Sequence, residues 1–233
     1  MSELEYEGRI LNGDLSPEDD RDFVFLDTAV ELPARFVVKG SLPLYDQRNT
    51  GTCSAHAAAA IRVWQERLDG KGIIPVDIFR LYDLVKTIVD KRPDPLRVMG
   101  THIRSVLRLL AGTGTPLKGT SQPGAGGKIT TYWRVYGENA MKQALMKYGP
   151  LMARADWDAA WMYLPPNRIL RAPLGRIVGG HIFVIYGWDD ARGWLIHNSW
   201  GRWSLAGTGN AYMRFAYFAA RRPEAWATTD IDD

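Results

Sequence analysis

The spacing of apolar residues changes character about halfway along the chain. Residues 52–68 carry a helical pattern. Ala55, Ala57, Ala58, Ala59, Ala60, Ile61, Trp64 and Leu68 combine high helix propensity with one apolar side, and Asp69-Gly70-Lys71-Gly72 ends the run. Thr50 or Thr52 stands where an N-cap is needed. A second helix is predicted from Asp77, an N-cap residue, with Ile78, Leu81, Tyr82, Val85, Ile88 and Val89 at three- and four-residue steps, stopped by Pro93 and Pro95. A third starts at Thr101, runs through Ile103, Val106, Leu107 and Leu110, and stops at Gly112.

Residues 112–127 are rich in Gly and Pro and read as a loop between lobes. Beyond them lies one amphipathic helix, 138–148, closed by Gly149-Pro150. Strands follow at 151–155, 181–186, 194–198 and 211–215, with a turn at 189–193 between two of them. Residues 24–38 alternate loosely, as an edge strand crossing to the second lobe would.

Composition narrows the class. The content of 46% hydrophobic and 24% charged residues is that of an ordinary globular domain. No apolar run is long enough to span a membrane. The start of the chain is acidic and lacks the apolar segment of a secretory signal. The expected location is therefore cytoplasmic, or outside the cell by a route without an N-terminal signal peptide. The single Cys excludes an internal disulfide. No cluster of His, Cys, Asp or Glu has metal-ligand spacing, so no metal and no cofactor is implied.

Charge divides the chain more sharply. Residues 1–31 hold ten acids and two bases, net −8, and residues 223–233 hold four acids and no base. The total is +3, which leaves +15 on residues 32–222. Two readings stay open: solvated acidic tails, or an acidic arm lying on the basic body near a cleft. A basic body attracts phosphate without specificity, but no nucleic-acid motif is present and no nucleic-acid partner is expected. The expected division is an acidic arm at 1–31, a catalytic domain at 32–222 and an acidic tail at 223–233. Within the domain, a helical lobe covers about 45–120. A β-rich lobe covers about 121–222 and takes in the N-terminal strand.

Three short stretches carry the chemistry. They are 47–53 (Gln-Arg-Asn-Thr-Gly-Thr-Cys), 179–181 (Gly-Gly-His) and 198–201 (Asn-Ser-Trp-Gly). A lone intracellular Cys is usually a small buried hydrophobe, and a lone His is usually structural. Here Cys, His and Asn follow in the order of a thiol nucleophile, its base and the base's orienter, with a Gln six residues before the Cys. His181 lies 128 residues after Cys53 and Asn198 lies 145 after it. The papain-type His and Asn stand about 130–150 residues downstream of their Cys.

On these motifs the chain, from about Leu42 to Phe215, resembles the papain-like cysteine peptidases. The resemblance implies an α+β, papain-like fold, with a helical lobe packed against a β-rich lobe and the active-site cleft between them. It implies hydrolysis of peptide bonds in an extended peptide or protein substrate through a Cys53–His181 thiolate–imidazolium pair and an acyl-enzyme. Asn198 would hold the His181 ring, Trp200 would shield that bond, and the Gln47 amide would donate to the oxyanion. Gly100 would pair with the substrate backbone, Thr101 and His102 would border the main specificity pocket, and Gly180 would let the substrate approach. The start of a helix at Cys53 favours a thiolate.

The match has departures. Ser54-Ala55-His56 follows the Cys where the family has an aromatic residue, so His56 either titrates beside the thiol or fills the inter-lobe contact. Trp203-Ser204 replaces a Trp-Gly pair. Residues 1–31 are far shorter than the family's usual inhibitory propeptide. An acyltransferase, peptide ligase or deamidase would use the same residues, and a binding protein with a vestigial site would keep the fold alone.

Overall fold

The computed structural model describes residues 5–203 and 207–230. Ser204 and the last acids of the chain, Asp232 and Asp233, lie outside the described residues. In chain order the elements are β1 (Glu5–Tyr6), β2 (Arg9–Ile10), β3 (Val24–Phe25), β4 (Arg35–Val37), α1 (Cys53–Leu68), α2 (Ile78–Leu84) continuing as a π-helical turn (Val85–Val89), α3 (Ile103–Gly112), β5 (Ile129–Val135), α4 (Glu138–Tyr148), β6 (Leu151–Asp158), β7 (Ile177–Asp189), β8 (Gly193–His197), β9 (Asn210–Met213), α5 (Phe215–Ala219) and β10 (Glu224–Asp230). Strands β1 and β2 pair with each other. The others form one sheet in the order β3-β5-β10-β6-β7-β8-β9, with β4 also paired to β7.

The sheet has two apolar faces, and the two-residue period of its strands assigns their side chains. On β7, Phe183 and Ile185 join the core of the β-rich lobe with Trp157, Trp161, Trp188, Trp194, Trp200 and Trp203. Ile182 and Val184 point the other way, into the core built by α1, α2 and α3. Strands β6 and β10 behave alike, with Met152 and Trp226 facing the helices and Leu151, Ala153, Ala225 and Ala227 facing away. This is a mixed α+β fold with a helical lobe against a β-rich lobe.

Helix α1 lies between the two and is buried from Cys53 through Glu66. Its alanine run lets neighbouring elements approach closely, and its polar side chains are matched. Arg62 donates to Gln65 (2.9 Å), Glu66 (2.5 Å) and Thr115 (3.0 Å). The N-terminus of α1 differs from expectation. Neither Thr50 nor Thr52 caps it. The Thr50 hydroxyl donates to the Gln47 carbonyl, and the Thr52 hydroxyl meets the His56 ring.

Helix α3 starts two residues later than Thr101, and its capping hydroxyl comes from elsewhere: Ser16 Oγ accepts from the Arg104 amide at 3.3 Å. Asp77 caps α2 as its sequence predicts.

The ends of the chain need correction. Residues 224–230 are not a tail: they form β10, an interior strand between β5 and β6. The alternation Ala225-Trp226-Ala227, buried on both faces, drives this placement. Glu224, taken as a tail charge, is buried and accepts from the Ser16 amide (2.9 Å) and Trp226 Nε1 (2.6 Å). The loose alternation at 24–38 resolves into two short strands: β3 lies parallel to β5, and β4 lies antiparallel to β7.

Candidate active site

Cys53 opens α1, and β7 passes beside it. The backbone amides of Ile182 and Ser54 lie near enough to the thiol to favour its anion. Ile182 follows His181, so the Cys-bearing helix and the His-bearing strand meet where the two cores join. His181 Nε2 lies 2.7 Å from Asn198 Oδ1, which fixes Nε2 as the protonated nitrogen. Nδ1 is buried without a hydrogen-bond partner and keeps its lone pair. Asn198, just past β8, is held in turn by its amide on the Gly209 carbonyl (2.9 Å). Trp200 lies with its ring centroid 4.7 Å from that of His181, and the edge-on Trp157 lies at 4.9 Å. The His181–Asn198 bond is thus enclosed by two indoles.

Gln47 is fully buried near this group. Its backbone amide donates to the Ser199 carbonyl (2.8 Å), and its side-chain carbonyl accepts from Ser199 Oγ (2.7 Å). Its Nε2 donates to the Thr50 carbonyl at 2.8 Å, which leaves one N–H for another acceptor. His56 turns away from this group. Its Nδ1 contacts Thr52, and its ring meets Tyr45 and Phe79 edge-on. It shares a small inter-lobe space with Phe183, Val184 and Ser199. His197 sits on β8 bonded to Asn210 and the Pro43 carbonyl, away from His181.

The cleft between the lobes holds the chain's own N-terminal arm. Residues 12–14 lie extended, bridged to Gly180 on one side and to His102 on the other, both in parallel sense. The Gly13 amide donates to the Gly180 carbonyl (2.7 Å), and the Asp14 amide donates to the Thr101 carbonyl (3.3 Å). The Arg154 guanidinium donates to the Gly13 carbonyl (3.1 Å), and the Asn12 side chain donates to the Val98 carbonyl. A Cβ on Gly100 would strike the Asn12 carbonyl, and one on Gly180 would strike the Gly13 carbonyl. Gly100 also has φ +66, where a side chain is strained. Glycine on both walls is what admits an extended backbone between them.

The arm's charge contributes little to this docking. Asp22 pairs with Arg104 and, at 3.9 Å, with Arg134, while Asp19 pairs with Arg21 inside the arm itself. Glu5, Glu18, Asp20, Asp27 and Glu31 form no ion pair among the described residues. Backbone hydrogen bonds in the cleft, the contacts of Ser16, and Arg9, which pairs with Asp46 at 2.9 Å and lies over Trp200, hold the arm.

With the arm in place the site is dry, and its ionisation is opposite to the sequence expectation. Burial pushes the Cys53 thiol up to about 11, against the lowering effect of the Ile182 and Ser54 amides. Burial pulls His181 down to about 4, with Asn198 opposing. Burial thus works against the charged form of both groups while the arm covers the site. The helix start at Cys53 does not outweigh the loss of water.

The structure brings Cys53, His181, Asn198, Trp200 and Gln47 into one group and sets Gly100, Thr101, His102 and Gly180 along the walls that grip the arm. Sequence reasoning missed Trp157, Ser199 and Asn12. Trp157 lies on β6, outside every motif. Asn12 had a legible signal, the turn pair Asn12-Gly13, without a hint of what it turns into. Among the described residues, no three or more His, Cys, Asp or Glu come close enough to hold a metal ion, and no helix is long and apolar enough to cross a membrane.

No protein-family model matches the chain, and no curated protein matches it in sequence. Solved structures do. Xylellain, a cysteine protease from Xylella fastidiosa, superposes with a TM-score of 0.76 at 20% identity over 96% of each chain. Procathepsin B from Trypanosoma congolense gives 0.75 at 15% identity, covering 94% of this chain and 86% of its own. A stem bromelain precursor gives 0.71 at 18% identity, covering 100% and 81%. The chain has the fold of the papain-like cysteine proteases.

Proposed function

We propose that the protein is a cysteine peptidase held in a latent form by its N-terminal arm. One observation carries the reading. His181 turns Nε2 to Asn198 and leaves Nδ1 free, beside a strand amide that favours the Cys53 anion. His197, by contrast, spends both nitrogens, on Asn210 and on the Pro43 carbonyl.

The mechanism follows from displacing the arm. Water and a substrate peptide replace residues 12–14, and the desolvation that works against the charged forms of Cys53 and His181 falls. Nδ1 takes the thiol proton, giving thiolate and imidazolium. The thiolate attacks the substrate carbonyl, whose oxygen becomes an oxyanion facing the Cys53 amide and the spare Gln47 N–H. The C–N bond breaks as the imidazolium gives its proton to the leaving amine. Water then enters, His181 takes its proton, and the acid product leaves as the thiol reforms. Asn198 holds the ring through both transfers, and the two indoles keep water from that bond.

Hydrolysis of a mixed fluorogenic peptide pool by the full chain, by Gly13→Leu and by Cys53→Ala/Gly13→Leu tests this reading. A Cβ at Gly13 would lie 2.9 Å from Ile182 Cγ1 and 3.1 Å from the Ile182 amide nitrogen, so a leucine there is crowded against the cleft wall and weakens the arm's hold. Activity is expected in Gly13→Leu and absent once Cys53 is replaced. A silent Gly13→Leu enzyme whose Cys53 alkylates freely would reject the reading. Added amine acceptors separate hydrolysis from acyl transfer by their products.

A further inference from the structure

Beside the arm, on the helical lobe, lies an open depression of about 360 Å³ whose edge is formed by Thr101 and His102. Its floor is one face of α3, where Arg104, Ser105 and Arg108 follow Thr101 and His102 at helical spacing. Its far wall is the end of the α2 segment, with Lys86, Asp90 and Arg92. The arm supplies Asp14 and Pro17. The depression therefore begins at the residues that follow Gly100 along the cleft wall.

Its charge is lopsided. Lys86 is committed to Asp90 (2.9 Å) and the Gly100 carbonyl (2.9 Å). Asp90 is further taken by the Thr101 hydroxyl (2.7 Å). The lobe's one carboxylate here is thus saturated. Arg92 and Arg108 are exposed and form no ion pair among the described residues. Arg104 is 8% exposed, its Nε is buried without a partner, and its other contact is Asp22 of the arm. When residues 12–14 leave the cleft, Asp14 leaves with them, while Asp22, held beside β3 in the sheet, keeps Arg104 paired. Arg92 and Arg108 then face the groove without a carboxylate, and a carboxylate of the incoming peptide would make charge-assisted bonds to them.

We infer that this depression is a specificity site for an acidic side chain of the substrate. The inference rests on the peptidase reading for its place in a reaction, but the recognition itself does not need the chemistry. A peptide lying along Gly100 in the arm's place projects a side chain toward Arg92 and Arg108, and Glu or Asp there makes charge-assisted bonds that Gln or Asn cannot match. The arm already follows this rule, since it brings Asp14 to the rim and Asp22 to Arg104.

The test uses the full chain with Gly13→Leu and three peptides that differ only by Glu, Gln or Lys at the second and third positions before the scissile bond. The Glu peptide should exceed the Gln peptide in kcat/KM by about tenfold or more, as charge-assisted hydrogen bonds to Arg do. The ratio should shrink with salt, and in Arg92→Glu/Arg108→Glu it should fall to one or invert toward Lys. These two arginines are exposed, so their replacement leaves the fold intact.

Binding of the same labelled peptides to Cys53→Ala/Gly13→Leu, read by anisotropy, removes chemistry from the question. Tighter binding of the Glu peptide without cleavage in the Cys53 enzyme would keep the site and reject the peptidase. Cleavage with equal rates and equal binding for Glu and Gln would keep the peptidase and overturn the site. So would a Glu preference unchanged in the double arginine variant.

Discussion

Asn198 Oδ1 accepts two hydrogen bonds at once, from His181 Nε2 and from the Ser199 amide, each at 2.7 Å. The second bond fixes the first, because an amide oxygen held by the backbone cannot flip to present its NH₂ group. The imidazole is thereby restricted to the tautomer with Nδ1 unprotonated. In an arm-released background, His181→Ala should be nearly inactive, since it removes both the base and the acid for the leaving amine. Asn198→Ala should retain more activity, because it loosens the ring without removing it. Rates for the two variants measured against His56→Ala check the assignment, and an inactive His56→Ala beside an active His181→Ala would reject it.

The Gln47 side chain is held at both ends, its Oε1 accepting from Ser199 Oγ and its Nε2 donating to the Thr50 carbonyl. Such a side chain is preorganised, and its remaining N–H is aimed rather than free to swing. Gln47→Ala should lower kcat by about two orders of magnitude with KM little changed, as loss of an oxyanion donor does. Ser199→Ala keeps the amide but loosens it, and should cost less. A rise in KM at constant kcat in Gln47→Ala would assign the amide to ground-state binding.

The parts of this protein that were legible in the sequence are those set by local pattern. Residues 138–148 form a helix because their apolar residues recur at helical spacing between Gly137 and Gly149. The Cys53, His181 and Asn198 spacing located the site because Cys53 starts α1, Asn198 follows β8, and His181 lies on the apolar strand the sequence already marks, although that strand begins earlier, at Ile177. Contacts made at long range were not legible. The 224–230 segment is short and ends among acids, and only pairing with β5 and β6 makes it a strand. The capping of α3 by Ser16 depends on a residue 88 positions away. The net −8 of the arm suggested electrostatic docking, whereas backbone bonding to Gly180 and Thr101 does the holding. Burial of Cys53 reversed the ionisation expected from its helix position, and burial by a distant segment leaves no local signature.

Acid sensitivity follows from two buried imidazoles. Burial pulls both His181 and His56 to about 4, below the ordinary value of 6.5. The unfolded chain therefore binds more protons than the folded one between about 6.5 and 4. Stability is full above that window and is lost as the pH falls through it, by roughly 3 kcal/mol per His as an order of magnitude. A melting temperature several degrees lower at pH 4.5 than at pH 7 is expected. His56→Phe, placed against Tyr45 and Phe79, should recover about half of that drop. Parallel pH profiles for wild type and His56→Phe would show that His56 is not one of the groups responsible.

Release of the arm should be sharp in sequence and weak in salt. The cleft bonds run from backbone to backbone at Gly13–Gly180 and Asp14–Thr101, so they depend on chain shape more than on charge. Gly13→Leu introduces a side chain against Ile182 and should raise the rate of Cys53 alkylation at pH 7 by more than tenfold. Two effects combine there: the thiol becomes accessible, and its ionisation falls from about 11 toward the ordinary range as water returns. Asp22→Asn removes the arm's pairing with Arg104 and Arg134 and should raise the rate less. Salt acts only on the arm's few ion pairs, Asp22 with Arg104 and Arg134 and Arg9 with Asp46, so the wild-type rate should change less than twofold between 0.05 and 0.5 M salt as screening shortens to a few ångströms, roughly. A wild-type alkylation rate that climbs steeply with salt to the Gly13→Leu value would restore charge as the force that holds the arm.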